Sequence, residues 1–128
     1  MMRVSIVDQS PVHDGESAAD ALRHTLDLVT LAESLGYHRY WFAQHHGSAA
    51  FASASPEVLM AAAAQVTSRI RIGSGGFLLG EYPPLRLAEI ARTLEAVAPG
   101  RIDIGLGRAP GGDGRVVRAL QSQMQDAE

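Results

Sequence analysis

The 128 residues are 46% apolar and 20% charged with a formal net charge of -3, which suits one compact domain but not two, and excludes wholesale disorder. There is no cysteine, so disulfides and thiolate chemistry are excluded, and no block of like charge, so nucleic acid is not an expected partner. No run approaches the roughly 18 apolar residues of a membrane span, and MMRVSIVDQSPV meets polar residues too soon for a signal peptide; a soluble cytoplasmic protein is expected.

Arg3–Asp8 (RVSIVD) reads as a first short strand, stopped by Gln9-Ser10-Pro11. A helix follows from Ser17, a candidate N-cap, to Leu35, with Ala21, Leu22, Leu28, Val29, Ala32 and Leu35 at helical spacing and Gly36 beyond its end. Tyr37–Ala43 (YHRYWFA) is aromatic-rich and strand-like, and opens into Gln44-His45-His46 and a loop of small residues, GSAAFASAS, expected to be mobile. Ser55-Pro56-Glu57 is a helix start, with a Ser cap, Pro at the first position and an acid in the first turn; the helix runs from Pro56 to Thr67.

Arg69–Gly76 (RIRIGSGG) reads as the third strand and Phe77–Pro84 as a loop. A helix over Pro84–Val97 offers Leu85, Leu87, Ala88, Ala91, Leu94 and Val97 to the core, and Pro99-Gly100 breaks it. RIDIGLGRAPG, Arg101 to Gly111, is a buried strand running into a Gly-rich loop, and 115–125 is a helical tail with Val116, Val117, Leu120 and Met124 in a stripe. Strict alternation of apolar strands and helices predicts an α/β fold of parallel (β/α) units with right-handed crossovers, about four strands in one unit over 1–128. Four such units make a small open sheet or half of a (β/α)8 barrel, and in either case ligands are expected at the C-terminal edge of the strands.

That edge collects the candidate chemistry. His45 and His46 are adjacent on a strand end and so point to opposite faces, a poor metal pair. One of them can face the mouth as acid, base or donor and the other a helix; a histidine satisfied by a backbone carbonyl is an equal alternative. Gly105-x-Gly107 follows a strand, but Pro110 stands where a dinucleotide fingerprint needs its third glycine, and a phosphate loop is excluded because the chain has no Lys. Glycines at two neighbouring strand ends suit a flat ligand lying close to backbone, or merely tight turns. Arg108 is the best candidate for an anion contact, whereas Arg101, at the opposite edge, is expected to serve stability. Asp103 is expected to be a paired buried carboxylate, with Arg71 on the neighbouring strand as its partner, and Asp8 either lines the site or caps the next loop.

DQSPV, GYHRYWFAQHH, RIRIGSGGFLL and PGRIDIGLGRAPGGD, in that order, resemble the bacterial luciferase-like flavin-dependent monooxygenases, from Met2 to about Asp113. The resemblance implies a (β/α)8 barrel with FMN at the C-terminal strand edge, used reduced with O2 as co-substrate to oxidise a small organic molecule through a C4a-peroxyflavin. It implies a catalytic His45 beside the reactive edge of the flavin. It places Ser74, Gly75 and Gly76, with a non-proline cis peptide, under the ring, and Gly107 and Arg108 at the phosphate. A flavin reductase is an implied partner.

This sequence departs from the family pattern in two respects. Gln44 stands where the family has an acid, and a neutral amide cannot support a charged imidazole as a carboxylate does. Only the N-terminal half is matched, which leaves two unpaired edges and an open apolar face. The chain is then read as the N-terminal half of such an enzyme. The alternatives are a truncated, non-catalytic flavin-binding or scaffold half-barrel, or a homo-oligomer that completes the barrel from two copies.

Overall fold

The computed structural model describes residues 1–125, with side chains as far as Leu120. Strands β1 (Ser5–Asp8), β2 (Arg39–Phe42), β3 (Arg71–Leu78) and β4 (Ile102–Gly107) alternate with helices α1 (Ala18–Ser34), α2 (Pro56–Val66), α3 (Pro84–Val97) and α4 (Gly114–Gln125), and a 3-10 turn, Leu79–Glu81, follows β3. The strands form one parallel sheet in the order β1-β2-β3-β4, so β1 and β4 are its edges. Among the described residues no helix is long and apolar enough to cross a membrane.

Register explains the two faces of the sheet. Ile6, Tyr40, Ile72 and Ile102 lie side by side, and Asp8, Phe42, Ser74 and Ile104 form the next row towards the C-terminal edge. These two rows belong to the face under the helices, where Tyr40, Phe42 and Ile72 are fully buried with Val29, Met60 and Phe77. The alternate positions, Val7, Trp41, Gly73 and Asp103, belong to the other face. That face is not the apolar surface expected from half a barrel. Asp103 accepts from Arg71 Nε (2.8 Å) and Nη2 (2.7 Å) and from Arg39 Nε (2.6 Å), and the Arg39 guanidinium lies 4.9 Å from the centroid of the Trp41 ring. Two arginines and one half-buried carboxylate therefore occupy the open face, where Val7 of the edge strand β1 is an exposed apolar residue.

The helices are fastened at their ends. Ser17 and Asp20 form the capping box of α1, in which each side chain bonds the other's backbone N–H. At the far end of α1, Glu33 accepts from the backbone N–H groups of Ser68, Arg69 and Ile70 at 2.6–3.0 Å and so fixes the approach to β3. Burial alone would raise the Glu33 carboxyl, but these bonds outweigh it and hold the group below its usual range. Arg101 donates to the carbonyl of Ala64 (3.1 Å) and to Thr67 Oγ1 (3.0 Å), closing the C-terminal end of α2, the stabilising task expected of it.

Several expectations are corrected. Leu28 and Leu35 are exposed because the buried stripe of α1 runs through Ala21, Thr25, Val29 and Ala32, centred roughly 55–75° away around the helix axis, and Leu35 is already the C-cap. Ser55 makes no side-chain cap, although Pro56 does begin α2. In α3 the buried positions are Ile90 and Leu94, while Leu85 and Val97 are exposed. Met124 lies outside the described side chains. The largest correction is β3, which continues through Phe77 and Leu78 instead of ending at Gly76.

The extension is possible because β3 is bulged against β4. Ser74 pairs with Ile104 and Phe77 with Leu106, so Gly75 and Gly76 together oppose Gly105 alone. The backbones meet so closely that a Cβ on Gly105 would sit 2.1 Å from the Ser74 carbonyl oxygen, and one on Gly76 would sit 2.8 Å from the Gly105 carbonyl oxygen.

Two stability predictions follow from this geometry. Gly105→Ala is expected to cost about 3 kcal/mol or more, because backbone must move, whereas Gly100→Ala, with positive φ and open space around it, is expected to cost about 1–2 kcal/mol; urea unfolding of the two variants checks the ranking. The Asp103 carboxyl feels burial, which would raise it, but the Arg71 and Arg39 bonds dominate and hold it below its ordinary 3.8. Its contribution is therefore whole above that value and lost as pH falls towards the depressed one. Asp103→Asn is expected to be less stable at neutral pH and to lose less stability on acidification below about pH 5 than the unaltered chain does.

Candidate functional site

The C-terminal edge of the sheet is assembled by loops that hold one another. Asp8, at the end of β1, is 7% exposed and accepts from Ser10 N (2.8 Å), Thr25 Oγ1 (2.7 Å) and Tyr40 OH (2.6 Å). Burial, reinforced by Asp8, raises the Tyr40 phenol far above its usual range, so it remains a donor. Asp8 thus caps the loop after β1 and does not line the site, and Ser10 is held there at a φ of 49°. That loop then grips the one after β2: Val12 N donates to Ala50 O (2.9 Å), Ala52 N to Ser10 O (2.9 Å), and Pro11 and Phe51 form an antiparallel bridge. Ser53, wholly buried, donates its hydroxyl to Ala43 O. The small-residue segment expected to be mobile is therefore pinned at several points.

The two histidines do turn opposite ways. His45 stacks on Phe51 with ring centroids 4.8 Å apart, and its Nε2 lies 3.1 Å from Gln9 Oε1. An amide oxygen accepts only, so that ring nitrogen carries the hydrogen. His46 turns towards the loops after β3 and β4: its backbone N–H donates to Gly111 O (2.8 Å), and its Nε2 lies 2.7 Å from Glu81 Oε2. Both histidines line a cleft of about 450 Å³ together with Gln44, Phe51, Gly111 and Gly112. Gly111, at a φ of 73°, has no room for a side chain, since a Cβ there would meet Leu78 Cδ1 at 2.4 Å and the His46 ring at 3.0 Å.

The other predicted positions are distributed around this cleft. Ser74 is fully buried; its Oγ donates to Gly105 O (3.0 Å) and accepts from Gly105 N (3.1 Å), so the hydroxyl is spent inside the sheet. Gly75 is exposed, the Gly75–Gly76 peptide is cis, and Gly107 ends β4. Arg108 is exposed and makes no ion pair among the described residues; it lines a narrow cleft of about 130 Å³ with Glu81, Ala109 and Pro110. Ala109 borders both clefts, so His45 and Arg108 flank a common wall, whereas Ser74, Gly75, Gly76 and Gly107 line neither. A larger hollow of about 950 Å³ lies at the opposite edge, beside Met1, Gly36 and Arg69, and its one carboxylate, Glu33, is already engaged.

Sequence reasoning missed Glu81. It lies in a stretch read as loop, and only the missing acid at Gln44 hinted that a carboxylate had to come from elsewhere. Burial raises its carboxyl, His46 opposes that, and Glu57 adds to it. Its Oε1 is buried and has no hydrogen-bond partner among the described residues.

Comparison with known proteins gives a consistent family. Residues 2–120 match the family described as luciferase-like monooxygenase. N-acetyl-S-alkylcysteine monooxygenase of Bacillus subtilis is 48% identical over 96% of this chain and 37% of its own length. The crystal structure of apo-MsnO8 superposes with a TM-score of 0.91 at 46% identity, over 94% of this chain and 36% of that one. The FMN complex of the oxygenating constituent of 3,6-diketocamphane monooxygenase from Pseudomonas putida gives a TM-score of 0.78 at 24% identity, over 85% of this chain and 30% of that one, a likeness of fold. The chain spans about a third of the length of the curated relatives it matches.

Ser74→Ala would leave the buried Gly105 N–H without its acceptor. A loss of about 1–3 kcal/mol is expected in urea unfolding, with the 3.0–3.1 Å link between β3 and β4 as its origin.

Proposed function

The chain belongs to the luciferase-like monooxygenase family, and on that premise we propose that its C-terminal strand edge forms one side of an FMN site at which a small organic substrate is oxidised by molecular oxygen. The observation that carries this reading is that His45 and Arg108, which makes no ion pair among the described residues, line two clefts that share Ala109.

The residues present suit such a group. The cleft of about 450 Å³ is within the range of small-molecule sites. Its wall carries Phe51 with Gly47, Gly111 and Gly112, which suit a flat ring, and Gly75 presents bare backbone on the same edge. Arg108 supplies a planar, permanently charged fork for a phosphate. When bound, reduced FMN supplies the two electrons that let one oxygen atom of O2 enter the substrate while the other leaves as water.

The chain's own contributions are binding, orientation and proton handling. Arg108 holds the phosphate. Gly75 and Gly76 keep side chains away from the face of the ring. His45 holds a proton at Nε2, oriented by Gln9 and by its stacking on Phe51, and can deliver or accept one beside the reacting oxygen. Ser74 acts at one remove, keeping β3 and β4 in register so that Gly75 meets the edge.

Flavin fluorescence titrations test the assignment. Arg108→Ala is expected to weaken FMN binding by about tenfold or more while changing riboflavin binding little. Equal losses for the two ligands would overturn the phosphate role, and an absence of saturable FMN binding would overturn the claim that this unit carries the site.

A further inference from the structure

Behind the cleft, three polar side chains meet in an arrangement that flavin binding alone does not explain. Gln44 Nε2 lies 2.8 Å from both His46 Nε2 and Glu81 Oε2, and the last two lie 2.7 Å apart. All are enclosed: Gln44 is 5% exposed, and the side chains of His46 and Glu81 are 16% and 12% exposed.

Chemistry restricts how such a triangle can be filled. Gln44 Oε1 accepts from the backbone N–H of Leu78 at 3.1 Å, which turns the amide so that its NH2 faces the other two groups. That NH2 donates to Glu81 Oε2. The NH2 can only donate, so His46 Nε2, 2.8 Å from it, is an acceptor there, and the one proton required between His46 Nε2 and Glu81 Oε2, 2.7 Å apart, belongs to the carboxyl. A bare ring nitrogen facing an ionised carboxylate at this distance would set lone pair against lone pair. The charged and titratable groups around Glu81 are His46 after β2, Glu57 of α2 reached through Tyr82, whose hydroxyl donates to Glu57 Oε2 at 3.2 Å, and Arg108 across the narrow cleft. The burial of Glu81 and the orphaned state of its Oε1 both favour keeping that proton in place.

We propose that Glu81 is a further positioning residue of this site: from the turn after β3 it supplies the carboxyl group that the strand-two motif lacks at Gln44, and it keeps a proton on the His46 Nε2 axis. The acid thus stands across the imidazole from position 44, where the amide now sits. Because the His46 backbone is bonded to Gly111 and Gln44 is bonded to Leu78, the protonated unit locks together the turn carrying His45, the end of β3 and the loop carrying Arg108. The functional consequence rests on the flavin reading; the arrangement itself does not.

The arrangement can be reversed by mutation. In the 15N-labelled chain, the proton on the axis between Glu81 Oε2 and His46 Nε2 is expected to give a strongly downfield resonance, slow to exchange with water. Glu81→Gln is expected to move it upfield or lose it to exchange. Gln44→Glu places two carboxylates against one ring nitrogen and is expected to lower the thermal midpoint. The double variant is expected to recover both resonance and midpoint towards the unaltered chain, since the new carboxylate at position 44 can still accept from Leu78 N–H and the new amide at position 81 returns the donor. Additive losses with no recovered resonance would overturn the proposal. If the single variants do not fold, the unaltered chain decides, because the absence of any downfield proton on the axis between Glu81 and His46 Nε2 overturns it outright.

FMN titration of the same samples separates the two readings. Loss of the resonance with FMN affinity unchanged would overturn the positioning role. An unaltered chain that shows the resonance but binds no FMN would count against the flavin reading and leave the Glu81 arrangement supported.

Discussion

The close approach of β3 and β4 is the constraint on which the rest of the site depends. With the Ser74 carbonyl 2.1 Å from where a Gly105 Cβ would be, no side chain fits, and the Ser74 hydroxyl uses both of its bonding capacities to bind Gly105 in the space that remains. Two residues of β3 spent against one of β4 shift the strand by a step, so that Phe77 and Leu78 re-enter the core instead of leaving it. From that shifted position Leu78 N–H reaches Gln44, its side chain packs where only a glycine at 111 is tolerated, and the turn that follows delivers Glu81 to His46. The position of the loops at the C-terminal edge is thus set inside the sheet, several residues before any of them begins.

Two strand-borne aspartates show how burial divides labour. Asp8 faces the helices and is met by hydroxyls and a backbone N–H, so it shapes a loop without introducing a countercharge. Asp103 faces the open side and is met by two guanidinium groups, one of them bidentate, which suits a carboxylate retained as an anion. The polarity of that side follows from the alternation of β2 and β3, in which Arg39 and Arg71 share a register level.

Much of the architecture was legible in the sequence because its signals are local. Apolar runs, Pro56 and Pro84 at helix starts, and Gly36 beyond a helix end located the strands and helices to within a few residues. The pairing of Asp103 with Arg71 was legible too, because the two lie on neighbouring strands and on one face, Arg71 two residues before Gly73, the register partner of Asp103. What escaped was long-range. Gly75-Gly76 read as a strand end because glycine usually punctuates, and only the facing Gly105 shows that it marks a bulge. The segment after His46 read as loose because its residues are small, yet its order comes from Ser10 and Pro11, some forty residues earlier. Glu81 carried no local signal at all, since its partners lie 35 and 37 positions away.

The order of strands in the sheet is also their order along the chain, and each pairs only with its immediate predecessor and successor. A sheet of this kind grows at one side. During vectorial synthesis, β2 emerges to find β1 already made, β3 finds β2, and β4 finds β3, so no strand waits for a partner still to be translated. The side that remains unpaired at each stage is the one the next segment will cover, and after the fourth strand it is β4, the strand whose glycine made the close approach to β3 possible.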